Sequence, residues 1–347
     1  MRAVTVRPGI ANSVTLTEVP DPSLSEGAVL VQAVALGICG TDREIIAADY
    51  GWAPPGQDHL ILGHESLGRV IEAPEGSGFT KGELVAGIVR RPDPVPCPAC
   101  AQDAWDMCRN GLYTERGIKQ RHGYGSELFR VEPEFLIKID PKLGHVGVLI
   151  EPTSVVAKAW EHVERIGNRA HKWQPRCALI TGAGPVGLLA ALIGAQRGLQ
   201  IHVLDRNKDG PKPDLVRALG GAYHSGPLGD LCPDIVIECT GASPVVLDVL
   251  DRVAPDGVVC LAGVSSGGRD FPFDVGGYNR RMVLENHVVF GSVNANRDHY
   301  RQAAEALAKA DPKWLERLIT RRVPLARWQE AFERRADDIK VVLDFTA

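Results

Sequence analysis

The stretch that most restricts what this chain can fold into runs from Cys177 to Asp205, CALITGAGPVGLLAALIGAQRGLQIHVLD. Its opening apolar run, Cys177 to Thr181, has the character of a buried parallel strand. Gly182, Gly184 and Gly187 follow at G-x-G-x-x-G spacing, with Pro185 and Val186 standing where a helix would begin. An apolar helical segment continues to about Arg197, and Gly198 is placed to stop it. A second apolar run, Ile201 to Leu204, ends on Asp205. In this order the glycines allow a tight turn, close backbone approach to a pyrophosphate, and packing of helix on strand. The helix N-terminus offers unpaired N–H groups and the positive end of its dipole. Glycines alone are weak support for a nucleotide site, since a ligand-free turn can use them too. The strand before, the helix after and the acid at the expected distance together favour dinucleotide binding.

Asp205 is positioned to accept from a ribose 2′-hydroxyl and to repel a 2′-phosphate, which predicts NAD as the preferred cofactor. Arg206 beside it can stack on adenine or accommodate a 2′-phosphate, so NADP stays open. Residues 177–195 carry no formal charge and are long enough to raise a membrane span. Four glycines and a proline interrupt them, and a buried strand and helix explain the run better.

A length of 347 residues predicts two domains. The net charge of −4 and the lack of a basic stripe argue against a nucleic-acid binder. MRAVTVRPG at the N-terminus has no signal-peptide pattern, so the expected setting is the cytoplasm. There, the eight cysteines are expected as thiols or metal ligands rather than disulfides. Residues 1–36 read as short strands with no helix between them, and the alternation of strand and helix starts only after about residue 160. The architecture therefore changes along the chain, from a mostly-β unit to an α/β unit with a doubly wound parallel sheet. Further buried-strand runs at 234–241, 257–264 and 287–294 end in small or polar residues, where open α/β sheets bind ligands. Thr240, Val264 and Val293 are thus cofactor-facing candidates.

Three separated pieces carry metal chemistry. Cys39 lies in GICGTD, His64 and Glu65 lie in LGHES, and Glu151 lies in LIEPT at a helix start. Each has an ordinary explanation: a small buried thiol, a surface pair, and a charge favoured by the helix dipole. Together they supply thiolate, imidazole and carboxylate, the ligands of a catalytic zinc with an open position. A Lewis acid beside a nicotinamide would promote loss of an alcohol proton ahead of hydride transfer. Cys97, Cys100 and Cys108 form a separate thiol cluster among turn-forming prolines, a candidate structural zinc site.

The order GICGTD, LGHE, the cysteine lobe, LIEP and TGAGPVG resembles the medium-chain zinc-dependent alcohol dehydrogenase family. VRRPDP (89–94), YTERGI (113–118), HGYGSE (122–127) and GSVNANRDHY (291–300) are similar to its microbial glucose 1-dehydrogenase branch. The resemblance implies a GroES-like catalytic domain over residues 1–160 and 298–347 and a Rossmann domain over 161–297. It implies Cys39, His64 and Glu151 as zinc ligands, with Glu151 also in reach of substrate. Glu65 would be an exchangeable ligand or the partner of a zinc-bound water, and Thr41 would relay the substrate proton. Glu115 would bind a sugar hydroxyl, and Asn294 would contact both nicotinamide ribose and sugar. Related enzymes have four lobe cysteines, and Pro94 stands at the first of those positions here. Asp93, Asp103, Asp106 and Glu115 are all candidates to replace it, and an empty lobe is the alternative.

The resulting expectation is a zinc-dependent, NAD(P)-linked dehydrogenase that oxidises an aldose, foremost D-glucose at C1, to a lactone. The resemblance also implies a homodimer or homotetramer. Val89, where some members carry Asn, keeps another zinc-dependent polyol, alcohol or aminocyclitol dehydrogenase in view. A non-catalytic dinucleotide-binding protein is the other alternative.

Overall fold

The computed structural model describes residues 1–265 and 270–347. The chain forms two compact units, Met1–Ser154 with Asn294–Ala347, and Val155–Val293. The seams fall slightly earlier than the expected 160/161 and 297/298, and the helix Ile150–Gly167 runs across the first of them.

In the first unit the ten-residue strand Val29–Ile38 organises a seven-stranded sheet. Alternate valines at its start point inward, and its last six residues are buried on both faces. That burial is possible because it pairs with Glu65–Glu72 along one edge. Lys340–Asp344 pairs along the other edge near its end, and Leu128–Val131 near its start. The sheet order is Leu136–Lys138, Leu84–Gly87, Glu65–Glu72, Val29–Ile38, Lys340–Asp344, Ile319–Pro324. Strands from the two ends of the sequence thus share one sheet, and Lys340–Asp344 is buried at every position. A small separate sheet joins Arg90–Arg91, Thr114–Arg116 and Gln120–Arg121. The N-terminal region is strand-rich as expected, with Arg2–Val6 and Thr15–Glu18 in a further three-stranded sheet.

The second unit is a six-stranded sheet whose neighbouring strands are all parallel. Its order is Ala222–His224, Gln200–Leu204, Cys177–Thr181, Ile235–Glu238, Val258–Leu261, Val288–Gly291. The chain therefore winds outward one way from Cys177–Thr181 and then the other way from Ile235–Glu238. This doubly wound arrangement creates a crevice at the strand ends where the direction reverses. Five of these strands match the apolar runs read from the sequence. Ala222–His224 does not, being a short edge strand with no fully buried residue.

The helix Pro185–Gln196 leaves the first strand through the glycine turn, with proline in its first turn and Gly187 to Gly194 buried. Leu179, Val236, Val249, Val253 and Val259 form a core on the sheet. Among the described residues no helix is long and apolar enough to cross a membrane.

Candidate active site

In the first unit, Cys39 closes the strand Val29–Ile38 and caps the helix Gly40–Ile46 in an extended conformation. Its backbone N–H donates to Asp42 Oδ2 at 2.8 Å. His64 directly precedes the neighbouring strand, and Glu65 opens it, directly opposite Gly37. A side chain at position 37 would place its Cβ 2.0 Å from Glu65 Oε2, so glycine there makes room for the carboxylate. The ligand atoms of Cys39, His64 and Glu65 lie within 4.8 Å of one another. A thiolate, an imidazole and a carboxylate so grouped fit a zinc ion.

The charges around this group are largely compensated by other buried residues. Lys340 Nζ donates to both Glu65 oxygens at 2.6 Å and to the Ile38 carbonyl at 3.3 Å. Lys340 and Glu65 are 2% and 1% exposed. Burial pulls the Lys340 ammonium down, but the Glu65 carboxylate outweighs it and holds the amine charged. Asp42 Oδ1 lies 3.5 Å from His64 Nδ1, too long for a good hydrogen bond but close enough for charge attraction. Burial likewise disfavours the His64 imidazolium, and Asp42 reverses this, leaving the group well above its ordinary range. A metal on the imidazole would compete with that proton. Glu151 is half-buried in the first turn of Ile150–Gly167. Burial pushes its carboxyl up to about 7; His64 and Lys340 pull against this and nearby Glu65 adds to it. Thr41 lies half-buried in the first turn of Gly40–Ile46.

Glu115 lies elsewhere in the same unit, on Thr114–Arg116, and is buried. Its Oε1 accepts from Arg90 Nε at 3.0 Å, Arg90 Nη2 at 2.9 Å and Asn294 Nδ2 at 2.7 Å. The structure therefore brings Asn294 to Glu115, within the first unit. Asn294 adopts a left-handed backbone, φ 61°, and its own Oδ1 accepts from the Ala295 N–H at 2.7 Å.

The thiols of Cys97, Cys100 and Cys108 lie within 4.8 Å of one another, and among the described residues no carboxylate joins them. Backbone N–H groups of Arg109 and Cys100 hold the Cys97 thiol down to about 6, while burial pushes Cys100 up to about 11. Of the four acids considered as a replacement ligand, Glu115 is held by Arg90 and Asn294. Asp93 Oδ1 accepts from the Val95 N–H at 2.8 Å, Asp103 is exposed, and Asp106 lies 3.9 Å from His299. All eight cysteines are free thiols.

In the second unit the glycine turn has the form the spacing predicts. Gly182 takes φ +86°, and a Cβ on Gly187 would lie 1.7 Å from the Gly182 carbonyl oxygen. A Cβ on Gly184, the residue before Pro185 and Val186, would meet nothing within 4 Å. Thr240, Val264 and Val293 all follow the ends of sheet strands and are exposed. A buried acid absent from the sequence reading, Glu238, organises this rim. It accepts from Thr181 Oγ1 at 3.1 Å, the Thr240 N–H at 2.7 Å and the Gly241 N–H.

Asp205 follows the end of Gln200–Leu204 and has partners within the protein. Its Oδ2 accepts from the Ala183 N–H at 2.7 Å and its Oδ1 from the Asn207 N–H at 2.9 Å. Lys212 Nζ adds contacts at 3.2 and 3.4 Å. The carboxylate is thus engaged in pinning the glycine turn, and an ammonium offsets its charge. Arg206 is exposed beside it.

Lys340, Asp42, Arg90, Lys212 and Glu238 were not singled out by sequence reasoning. The one signal available was a charged residue opening or closing an otherwise apolar run, as in IKVVLD and DIVIECTG.

A family model described as "Glucose dehydrogenase C-terminus" matches residues 144–345, and "Alcohol dehydrogenase GroES-like domain" matches residues 25–141. Glucose 1-dehydrogenase 2 of Vulcanisaeta moutnovskia is 40% identical over 351 residues, covering 99% of each chain. Glucose 1-dehydrogenase of Thermoproteus tenax is 41% identical over 356 residues, again covering 99% of each. The solved structure of Haloferax mediterranei glucose dehydrogenase in complex with NADP, Zn and gluconolactone has a TM-score of 0.92 at 33% identity, covering 100% of both chains. A GroES-like unit with a donor cluster, together with a doubly wound dinucleotide fold, defines a class of two-domain dehydrogenases. The chain belongs to the medium-chain zinc-dependent alcohol dehydrogenase family, in its glucose dehydrogenase branch.

Proposed function

We propose that this chain oxidises D-glucose at C1 to the lactone, with hydride transfer to NAD or NADP. The observation that carries the reading is the convergence of Cys39, His64 and Glu65 on one buried point within a GroES-like unit. These residues, with Glu151, would hold zinc, which when bound supplies a Lewis acid that acidifies the substrate hydroxyl. The Thr41 hydroxyl, two residues from Cys39, takes part in relaying the proton. Lys340 offsets the charge of Glu65 and orients it, and Asp42 orients the His64 ring. Glu115 and Asn294 bind sugar hydroxyls. In the second unit, Gly182, Gly184 and Gly187 cradle the pyrophosphate on the N-terminus of Pro185–Gln196. Thr240, Val264 and Val293 line the cofactor rim, and Lys212 with Arg206 allows a 2′-phosphate. The lobe thiols hold a second, structural zinc. The enzyme works in the cytoplasm as a homodimer or homotetramer, a size that light scattering measures.

The test is reduction of NAD and NADP with D-glucose, D-galactose, D-xylose, sorbitol and L-threonine, with and without chelator, alongside metal analysis. Chelator-sensitive turnover of an aldose is the expected result. Silence on every sugar by a zinc-loaded, cofactor-binding protein would remove the glucose assignment. Turnover of sorbitol or threonine alone would move the chain to another substrate class within the family.

A further inference from the structure

We propose that Arg90 is a positioning residue that decides which oxygen of Glu115 meets the sugar. The inference deepens the aldose reading above and rests on it. An arginine facing a carboxylate commonly forms a fork in which two N–H groups reach two oxygens. Here Nε and Nη2 of Arg90 both donate to Oε1, at 3.0 and 2.9 Å, and Asn294 adds a third donor to that oxygen at 2.7 Å. Among the described residues Oε2 accepts from no protein donor. Glu115 as a residue is only 5% exposed, and Oε2 is not sealed from solvent, so it is the oxygen that a ligand hydroxyl can reach.

Arg90 is itself immobilised. It is 5% exposed, and it sits on Arg90–Arg91 directly opposite Glu115 in the antiparallel pair. Its Nη1 donates to the Asp106 carbonyl at 3.2 Å, and its guanidinium lies 3.7 Å from the centre of the Tyr113 ring. Asn294 is fixed by its left-handed backbone and its bond to the Ala295 N–H. Three fixed donors on one oxygen leave the carboxylate a single orientation. The other oxygen is presented to a hydroxyl, as recognition of one defined carbon of a polyol requires. A substrate with hydrogen in place of that hydroxyl would leave Oε2 without a donor and be rejected.

The experiment measures KM and kcat of Arg90→Gln and Arg90→Lys for D-glucose and the 2-, 3-, 4- and 6-deoxy sugars, with Tm for each protein. Arg90→Gln is expected to raise the KM for glucose about tenfold or more, with kcat and the cofactor KM nearly unchanged. For one deoxy sugar, already poor with the wild type, the substitution should add no further loss. Glu115→Gln should then mask Arg90→Gln in the double variant. Arg90→Lys retains the charge and supplies the test should the glutamine variant fail to fold. An unchanged KM overturns the proposal, as does an equal loss on every sugar accompanied by lower Tm and weaker cofactor binding. A wild-type enzyme silent on all aldoses would remove the aldose reading and this proposal together, whereas turnover indifferent to Arg90 would remove this one alone.

Discussion

Lys340 and Glu65 form a buried ion pair beside the proposed metal ligands Cys39 and His64. Both groups are almost fully withdrawn from water. Removing one partner of such a pair leaves an uncompensated charge, at a cost of about 3–5 kcal/mol. Lys340→Met is therefore expected to lower unfolding free energy by about that amount in urea titrations. Adding Glu65→Gln should recover much of the loss, because both charges are then gone. Independent losses that simply add would show that the pair is not coupled. Cys39, His64 and Glu65 could be picked out from the sequence because thiol, imidazole and carboxylate announce metal chemistry by residue type. Lys340 could not, since it opens a buried strand far along the chain and its role exists only once that strand lies beside Val29–Ile38. Arg90 is similar: in the sequence it is half of an Arg-Arg pair, and only cross-strand register sets it against Glu115.

At the level of elements, the strand, glycine turn and helix from Cys177 to Gln196 were legible almost residue for residue. Short-range sterics fix that motif, and neither glycine geometry nor apolar periodicity needs a distant partner. The protein partners of Asp205 were less legible, because they come from both sides in sequence: the turn before it and Lys212 after it. An aspartate with its charge offset in this way repels a 2′-phosphate less than a free one would. Lys212→Ala removes the offset. It is expected to weaken binding of 2′,5′-ADP about tenfold while changing 5′-AMP binding much less, as read by calorimetry. Equal weakening of both nucleotides would instead assign Lys212 to the geometry of the turn alone.

Stability is a property of the whole molecule, and one histidine gives it a defined dependence on pH. His122 Nδ1 accepts from the Ile61 N–H at 3.1 Å, and Nε2 lies 2.7 Å from Gln57 Oε1. Burial, with His59 and Arg116 nearby, lowers its pKa to about 4. An unfolded histidine takes up its proton near pH 6.5, so between that value and about 4 the unfolded chain binds more protons than the folded one. This contribution is complete above pH 6.5 and is lost as the pH falls toward 4. His122→Gln, whose side-chain oxygen can still accept from Ile61, should show a shallower fall in denaturant stability between pH 7.5 and 4.5. Identical slopes for the two proteins would exclude His122 as the source.

The discontinuous first unit also bears on how the enzyme is made. A ribosome releases the whole of Val155–Val293 before it has delivered Ile319–Pro324 and Lys340–Asp344. The nucleotide fold has all six of its strands at that moment, while the sheet that carries Cys39 and Glu65 still lacks two of its own. The ammonium that balances Glu65 arrives with the later of the missing strands. During synthesis every strand of the parallel sheet is therefore available before the sheet around Cys39, His64 and Glu65 can be completed.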